Sequence, residues 1–235
     1  MIADASLSVE EWTAIGLSLK VGFWSVVTGL PLAVTIAWVL ARLRFPGKAV
    51  LDGLVHVPLV VPPVVVGYLL LVLLGRQGPI GAWLYEVLGV TVAFTWQGAV
   101  IASTVMAFPL MVRAIRLSLE AIDPGLEAAA RTLGASRARV FATITLPLAA
   151  PGLLVGAMLG FARSLGEFGA TITFVSNIPG ETRTLPLALY TYTQVPGGDA
   201  AAIRLMILSL IIAFTALAVS EILARRLKAR MEATV

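Results

Sequence analysis

Asp123-Pro124-Gly125-Leu126-Glu127-Ala128-Ala129-Ala130-Arg131-Thr132-Leu133-Gly134 has the start and the stop of a short helix written into it. Asp123 supplies an N-cap oxygen, and Pro124 follows at the first helical position, where its missing N–H costs nothing. Leu126, Ala129, Ala130 and Leu133 then recur at helical spacing. Gly134 is a natural C′ residue, where the chain turns left-handed. Ser136 caps a second helical run through Val140 and Ile144 to Pro147. The spacing therefore predicts a helix–glycine–helix element over 124–146, with arms of roughly 15 Å at 1.5 Å per residue. By composition alone it could equally be an amphipathic connector lying on a membrane surface.

What flanks this element is membrane-like. Of the 235 residues, 59% are hydrophobic and 13% charged. A soluble domain carries nearly twice that share of charge, so an ordinary soluble enzyme is excluded. Residues 21–41, 53–75, 87–112 and 140–162 contain no Asp, Glu, Lys or Arg, and 205–220 is a shorter run of the same kind. Crossing the hydrocarbon takes roughly 20 helical residues. The predicted spans are about 14–41, 53–75, 93–115, 147–171 and 203–225. The fold class is all-α and integral to the membrane, a polytopic bundle of about five transmembrane helices. It forms a single transmembrane domain over 1–235.

Basic residues set the orientation. Arg42, Arg44 and Lys48 follow span one. Arg113, Arg116, Arg131, Arg137 and Arg139 lie between spans three and four, and Arg225, Arg226, Lys228 and Arg230 follow span five. These are twelve of the seventeen basic residues. The positive-inside rule puts them in the cytoplasm, with the N-terminus outside and the C-terminus inside. The N-terminal residues do not read as a signal peptide, because Asp4, Glu10 and Glu11 precede the first basic residue, Lys20.

The central element resembles the EAA motif of the permease subunits of bacterial ABC importers. Gly134 is followed by nine residues, beginning with Ala135, and then by Ile144-Thr145-Leu146-Pro147, as in that family. The family glutamate usually sits six residues before the glycine, where this chain has Ala128. Glu127 is one residue earlier, about 100° around the helix. The resemblance implies a type I ABC importer permease fold in which 124–146 is the coupling helix. Glu127, Ala128, Ala129, Arg131, Gly134, Ala135, Ile144, Leu146 and Pro147 would then contact a cytoplasmic ATPase. Phe45–Lys48, Val61–Tyr68, Phe108–Arg113, Gly166–Ala170 and Ser176–Thr184 resemble molybdate permease subunits. The Gly-Glu-Phe-Gly element is similar to sulfate permeases too.

That family implies a second copy of this chain, two cytoplasmic ABC ATPase subunits, and a periplasmic or extracellular molybdate-binding protein. The setting is the bacterial inner membrane, with lipid around the spans. It implies molybdate as substrate, with tungstate beside it. No Gly-x4-Gly-Lys-[Ser/Thr] occurs, so ATP and magnesium are expected on the partner ATPase and no cofactor on this chain. No metal site is expected of a chain with one histidine and no cysteine, and no nucleic acid as partner. Two rivals stay open. One is the same machine for sulfate or thiosulfate. The other is an ion-driven secondary transporter, against which the absence of an inverted repeat counts.

Few ionised groups lie within the spans. Arg163 and Glu167 are four residues apart on span four. They are read either as a contact for a passing oxyanion or as a self-neutralising pair. Pro62 and Pro63, with Pro58, break span two and either line a pathway or form a static kink. Gly152, Gly156 and Gly160, continued by Ser164, make a small-residue ridge for close helix packing, more internal than intersubunit. His56 reads as a packing residue. Ser176–Arg183 is a polar outer loop, and Leu185–Gln194 an interfacial or re-entrant helix.

Overall fold

A computed structural model describes residues 7–232, with side chains through Val219 and at Ile222, Leu223 and Arg226. Asp4 and the side chains of Arg225, Lys228 and Arg230 lie outside the described residues. Regular structure among the described residues is helical throughout. Among the described residues, three helices are long and apolar enough to cross a membrane, and two sharply bent helix pairs bring the number to at most five.

The first helix, α1 (Val9–Arg42), begins before residue 14 because Ser8 and Glu11 close a capping box. Ser8 Oγ accepts from the Glu11 amide, and Glu11 Oε2 accepts from the Ser8 amide at 2.7 Å. The Glu11 side chain is fully buried, and its other oxygen accepts from Arg204 Nη2 at 3.1 Å. A carboxylate this dry needs that partner, and the pair fastens the start of α1 to the last helix.

Span two is not one kinked helix. α2 (Lys48–Val60) and α3 (Pro63–Leu74) meet at 114°. Pro58 is absorbed inside α2 and Pro63 opens α3, while Val61 and Pro62 are extended. Two successive prolines remove adjacent donors and bar the residues before them from the helical region, so the chain turns there. A short helix absent from the sequence reading, α4 (Pro79–Leu88), follows. Arg76 lies over its Tyr85 ring at 4.3 Å.

α5 (Trp96–Glu120) is the central helix. Its Ala107, Met111 and Ile115 pack against Ala33, Ala37 and Leu40 of α1. Toward its other end, Ala102 and Met106 join Leu17, Val21, Phe174 and Val175. The predicted connector forms α6 (Pro124–Thr132), α7 (Arg137–Val140), a π-helical turn (Phe141–Thr145) and α8 (Leu146–Leu148).

Span four, expected over 147–171, is also divided. α9 (Ala150–Leu165) leaves the preceding segment at 67°, and α10 (Gly169–Val175) is a separate helix. Gly166 ends α9, so Glu167 stands in the break, yet it still pairs with Arg163 four residues back. α11 (Leu185–Gln194) buries Leu185, Leu187 and Ala188, and Ser18 Oγ accepts from the Leu185 amide at 2.7 Å. α12 (Asp199–Glu232) closes the chain and is largely exposed along its membrane-length stretch.

The glycine ridge lies against α5 of the same chain. A Cβ at Gly152 would meet Ser118, at Gly156 it would meet Ile115 and the Met111 carbonyl, and at Gly160 the Met111 side chain.

Candidate functional site

Two sites stand apart: the connector at one end of the bundle, and the place where the two helix breaks meet inside it.

In the connector, Asp123 Oδ1 accepts from the Gly125 amide at 2.8 Å and starts α6. Gly134, at φ +84°, stops it with a Schellman pair. The Ala135 amide donates to Ala130 O at 3.1 Å, and the Gly134 amide donates to Arg131 O at 3.0 Å. A side chain at Gly134 would be strained in this left-handed turn. Ser136 Oγ then caps α7 by accepting from the Arg139 amide.

Glu127 points back into the bundle. Its Oε1 accepts from Arg42 Nη2 at 3.0 Å and from Thr145 Oγ1 at 2.9 Å. Its neighbours Ala128 and Ala129 are exposed, as are Leu126 and, most of all, Leu133 at 89%. α6 is therefore clamped by its carboxylate on one face and presents an uncovered apolar stripe on the other. Arg131 Nε donates to Glu127 O at 3.2 Å. Ala135, Ile144 and Leu146 are half-buried against the bundle, and Pro147 is exposed. An exposed apolar stripe on an end-capped helix is the kind of surface that marks an interaction site. The clamp ties α6 to α1 and to the π-turn.

The second site lies where Pro63, next to Pro62 in the α2–α3 bend, meets Gly169, two residues from Glu167 and its partner Arg163. The α2–α3 bend packs against the α9–α10 break, and two glycines permit it. A Cβ at Gly169 would lie 2.8 Å from the Pro63 Cβ, and one at Gly67 2.5 Å from Ala170 O. Glu167 is 2% exposed. Its Oε1 accepts from the Ala170 amide at 2.8 Å, which caps α10. Its Oε2 lies 2.6 Å from Arg163 Nη1. Arg163 remains 27% exposed at its side chain, so one end of this ion pair is dry and the other is reachable. A cation held this way can meet an anion without being free to wander.

Sequence reasoning missed several ties. Arg42, read only as a topology marker, is the partner of Glu127. Asp52 Oδ1 on α2 accepts from Arg116 Nη1 at 3.1 Å, and Arg116 Nε donates to Glu120 at 2.7 Å. Only the i,i+4 spacing of Arg116 and Glu120, and of Asp52 and His56, hinted at this network. His56 Nδ1 lies 2.8 Å from Asp52 O. In the 176–183 loop, Arg183 Nε donates to Asn177 Oδ1 at 3.0 Å, and Glu181 Oε1 accepts from the Trp96 amide at 3.3 Å. That loop is fastened to the start of α5.

Residues 29–229 match the family of binding-protein-dependent transport system inner membrane components, and the chain belongs to that family. It is similar to the molybdenum transport system permease protein ModB of Escherichia coli K12, at 63% identity over 93% of this chain and 96% of the relative. The Haemophilus influenzae protein of the same name is 57% identical over 94% of this chain and 96% of its own length. The sulfate transport system permease protein CysT of E. coli is more distant, at 37% identity over 77% of this chain and 66% of its own length. Among solved structures, a bacterial alginate ABC transporter matches with a TM-score of 0.75 over 93% of this chain and 80% of that one, at 18% identity. The MetNI methionine ABC transporter matches at 0.64 over 92% and 94%, also at 18% identity. The fold is that of type I ABC importer permeases.

Proposed function

We propose that this chain is the membrane-spanning subunit of an ATP-driven importer that brings molybdate, and tungstate beside it, into the cytoplasm. The observation that carries the reading is the 63% identity to the E. coli molybdenum permease over nearly the whole of both chains. Two copies assemble with two ATPase subunits inside and a binding protein outside. The N-terminus faces outward and the C-terminus the cytoplasm.

In the proposed cycle, the loaded binding protein docks on the outer loops. ATP, bound with magnesium on the partner subunits, closes the ATPases against the exposed stripe of α6. The Glu127 clamp passes that displacement to α1, and the paired subunits turn from inward- to outward-facing. The anion enters a pathway between the copies, where Arg163 offers a positive charge already half-neutralised by Glu167. Weak attraction suits a carrier, because a tight site would slow release.

The test is uptake of labelled molybdate in cells lacking their own permease and complemented with this chain. Restored uptake that excess sulfate leaves intact is the expected result. Strong competition by sulfate would overturn the substrate. Transport in vesicles without any ATPase subunit would overturn the class.

A further inference from the structure

A cavity of about 610 Å³ opens beside the end of α1. Its walls carry five basic side chains, Arg42, Arg44, Lys48, Arg131 and Arg137, against the single carboxylate of Glu127. That carboxylate is already engaged by Arg42 and Thr145. The cavity therefore holds a surplus of positive charge with no internal anion to balance it.

Two further observations point to an anion from elsewhere. Arg42 Nε is buried and has no hydrogen-bond partner among the described residues, which is costly for a charged group. The N-terminus of α2 reverses the usual pattern. It begins with Lys48, has no side-chain cap and carries no acid in its first turn, so a cation sits on the positive end of the helix dipole. A bound anion would offset both.

The walls also show where the anion comes from. Arg42 is the last residue of a membrane-length helix, and Trp38, one turn further in, also lines the cavity. Trp38 packs edge-on against Phe141, with ring centroids 6.2 Å apart. Charge at the mouth and aromatic surface beneath it match a headgroup and the start of an acyl chain. The apolar stripe of α6, with Leu126 and Leu133, is a different face from the one Glu127 and Arg131 turn to the cavity.

We propose that this cavity binds the phosphate headgroup of an anionic phospholipid in the cytoplasmic leaflet. The inference rests on the orientation given under Proposed function and not on the transported anion.

The test uses the assembled transporter in nanodiscs of phosphatidylcholine containing a minor fraction of phosphatidylglycerol, with retained lipid counted by native mass spectrometry. Selective retention of phosphatidylglycerol is expected. It should fall roughly 25-fold, about fivefold per charge, in Arg44→Gln/Lys48→Gln. Arg44 is exposed and Lys48 half-buried, so thermal unfolding of the double variant is measured alongside to confirm its fold. Arg76→Gln, on the opposite side, should leave retention unchanged. Equal retention of phosphatidylcholine, or a double variant that keeps the preference, would overturn the proposal. Displacement by inorganic phosphate would make this a soluble-anion site. Retention that appears only once the ATPase subunits are stripped from the complex would assign the cations to that interface. Either outcome overturns the lipid assignment. Labelling of Leu133→Cys by an impermeant maleimide, in cells and in inverted vesicles stripped of the ATPase, tests the orientation separately.

Discussion

Arg42 Nη2 donates to Glu127 Oε1 across 3.0 Å, joining the last residue of α1 to the first turn of α6. Both side chains are about 85% buried. Glu127→Gln removes the charge and leaves Arg42 in the same pocket, so part of the desolvation cost returns, on the order of 1–3 kcal/mol. The expected outcome is a complex that still assembles but has lost most of its binding-protein-stimulated ATP hydrolysis. Hydrolysis with and without the binding protein, at matched subunit stoichiometry, checks this. Unchanged stimulation would show that movement reaches the bundle by another route.

The contact between the two helix breaks depends on two missing side chains. Gly67→Ala would place a methyl group 2.5 Å from a backbone carbonyl, that of Ala170. Gly169→Ala would press on the Pro63 ring at 2.8 Å. Overpacking of this kind costs about 1–3 kcal/mol. By contrast, Gly16 on α1 has nothing within 4 Å, and Gly16→Ala should be neutral or gain up to about 1 kcal/mol in helix propensity. Thermal unfolding in detergent should rank Gly16→Ala above Gly169→Ala, with Gly67→Ala lowest.

The connector was legible because each of its boundaries has a local chemical cause: Asp123 and Pro124 at the start, Gly134 at the corner, Ser136 at the restart. The apolar runs likewise located the membrane helices, since the hydrophobic requirement is local. The inner-membrane family followed from motifs at fixed spacing. The partners of the charged residues were not legible. Arg42 and Glu127 are 85 positions apart, and Glu11 and Arg204 are 193 apart, so no periodicity links them. The 114° turn at Val61–Pro62 was foreshadowed by its prolines, but its sharpness depends on the two glycines that let α10 come close. α4 escaped notice because ten residues between two apolar runs look like loop until Pro79 and Gly89 are seen as its ends.

The glycine ridge on α9 makes a negative prediction. Gly152, Gly156 and Gly160 are covered by Ser118, Ile115 and Met111 of the same chain. A cysteine at Gly156 should give no disulfide between copies in the assembled complex. Its added side chain should instead lower stability by about 1–3 kcal/mol, since Ile115 Cγ1 lies 3.1 Å from the new Cβ. Non-reducing gels of the oxidised complex check the first statement and thermal unfolding the second. A dimer band would move the ridge to the interface between copies.

Arg163 and Glu167 allow transport to be separated from folding. Arg163→Gln alone leaves a nearly dry carboxylate without its cation. Reduced protein levels are then expected whether or not Arg163 meets the anion, because breaking one side of a buried pair costs about 3–5 kcal/mol. Discounted for the exposed arginine end, roughly half of that is expected here. Arg163→Gln with Glu167→Gln removes both charges. The Glu167→Gln amide oxygen can still accept from the Ala170 amide, so α10 keeps its cap. The double variant should recover most of the lost stability. If Arg163 attracts the oxyanion, its uptake rate should still fall about tenfold, because one charge contact is worth roughly 1.4 kcal/mol. Molybdate uptake per folded complex, measured for both variants, decides the matter. A stable double variant that transports at the normal rate would leave the pair as an internal brace between α9 and α10.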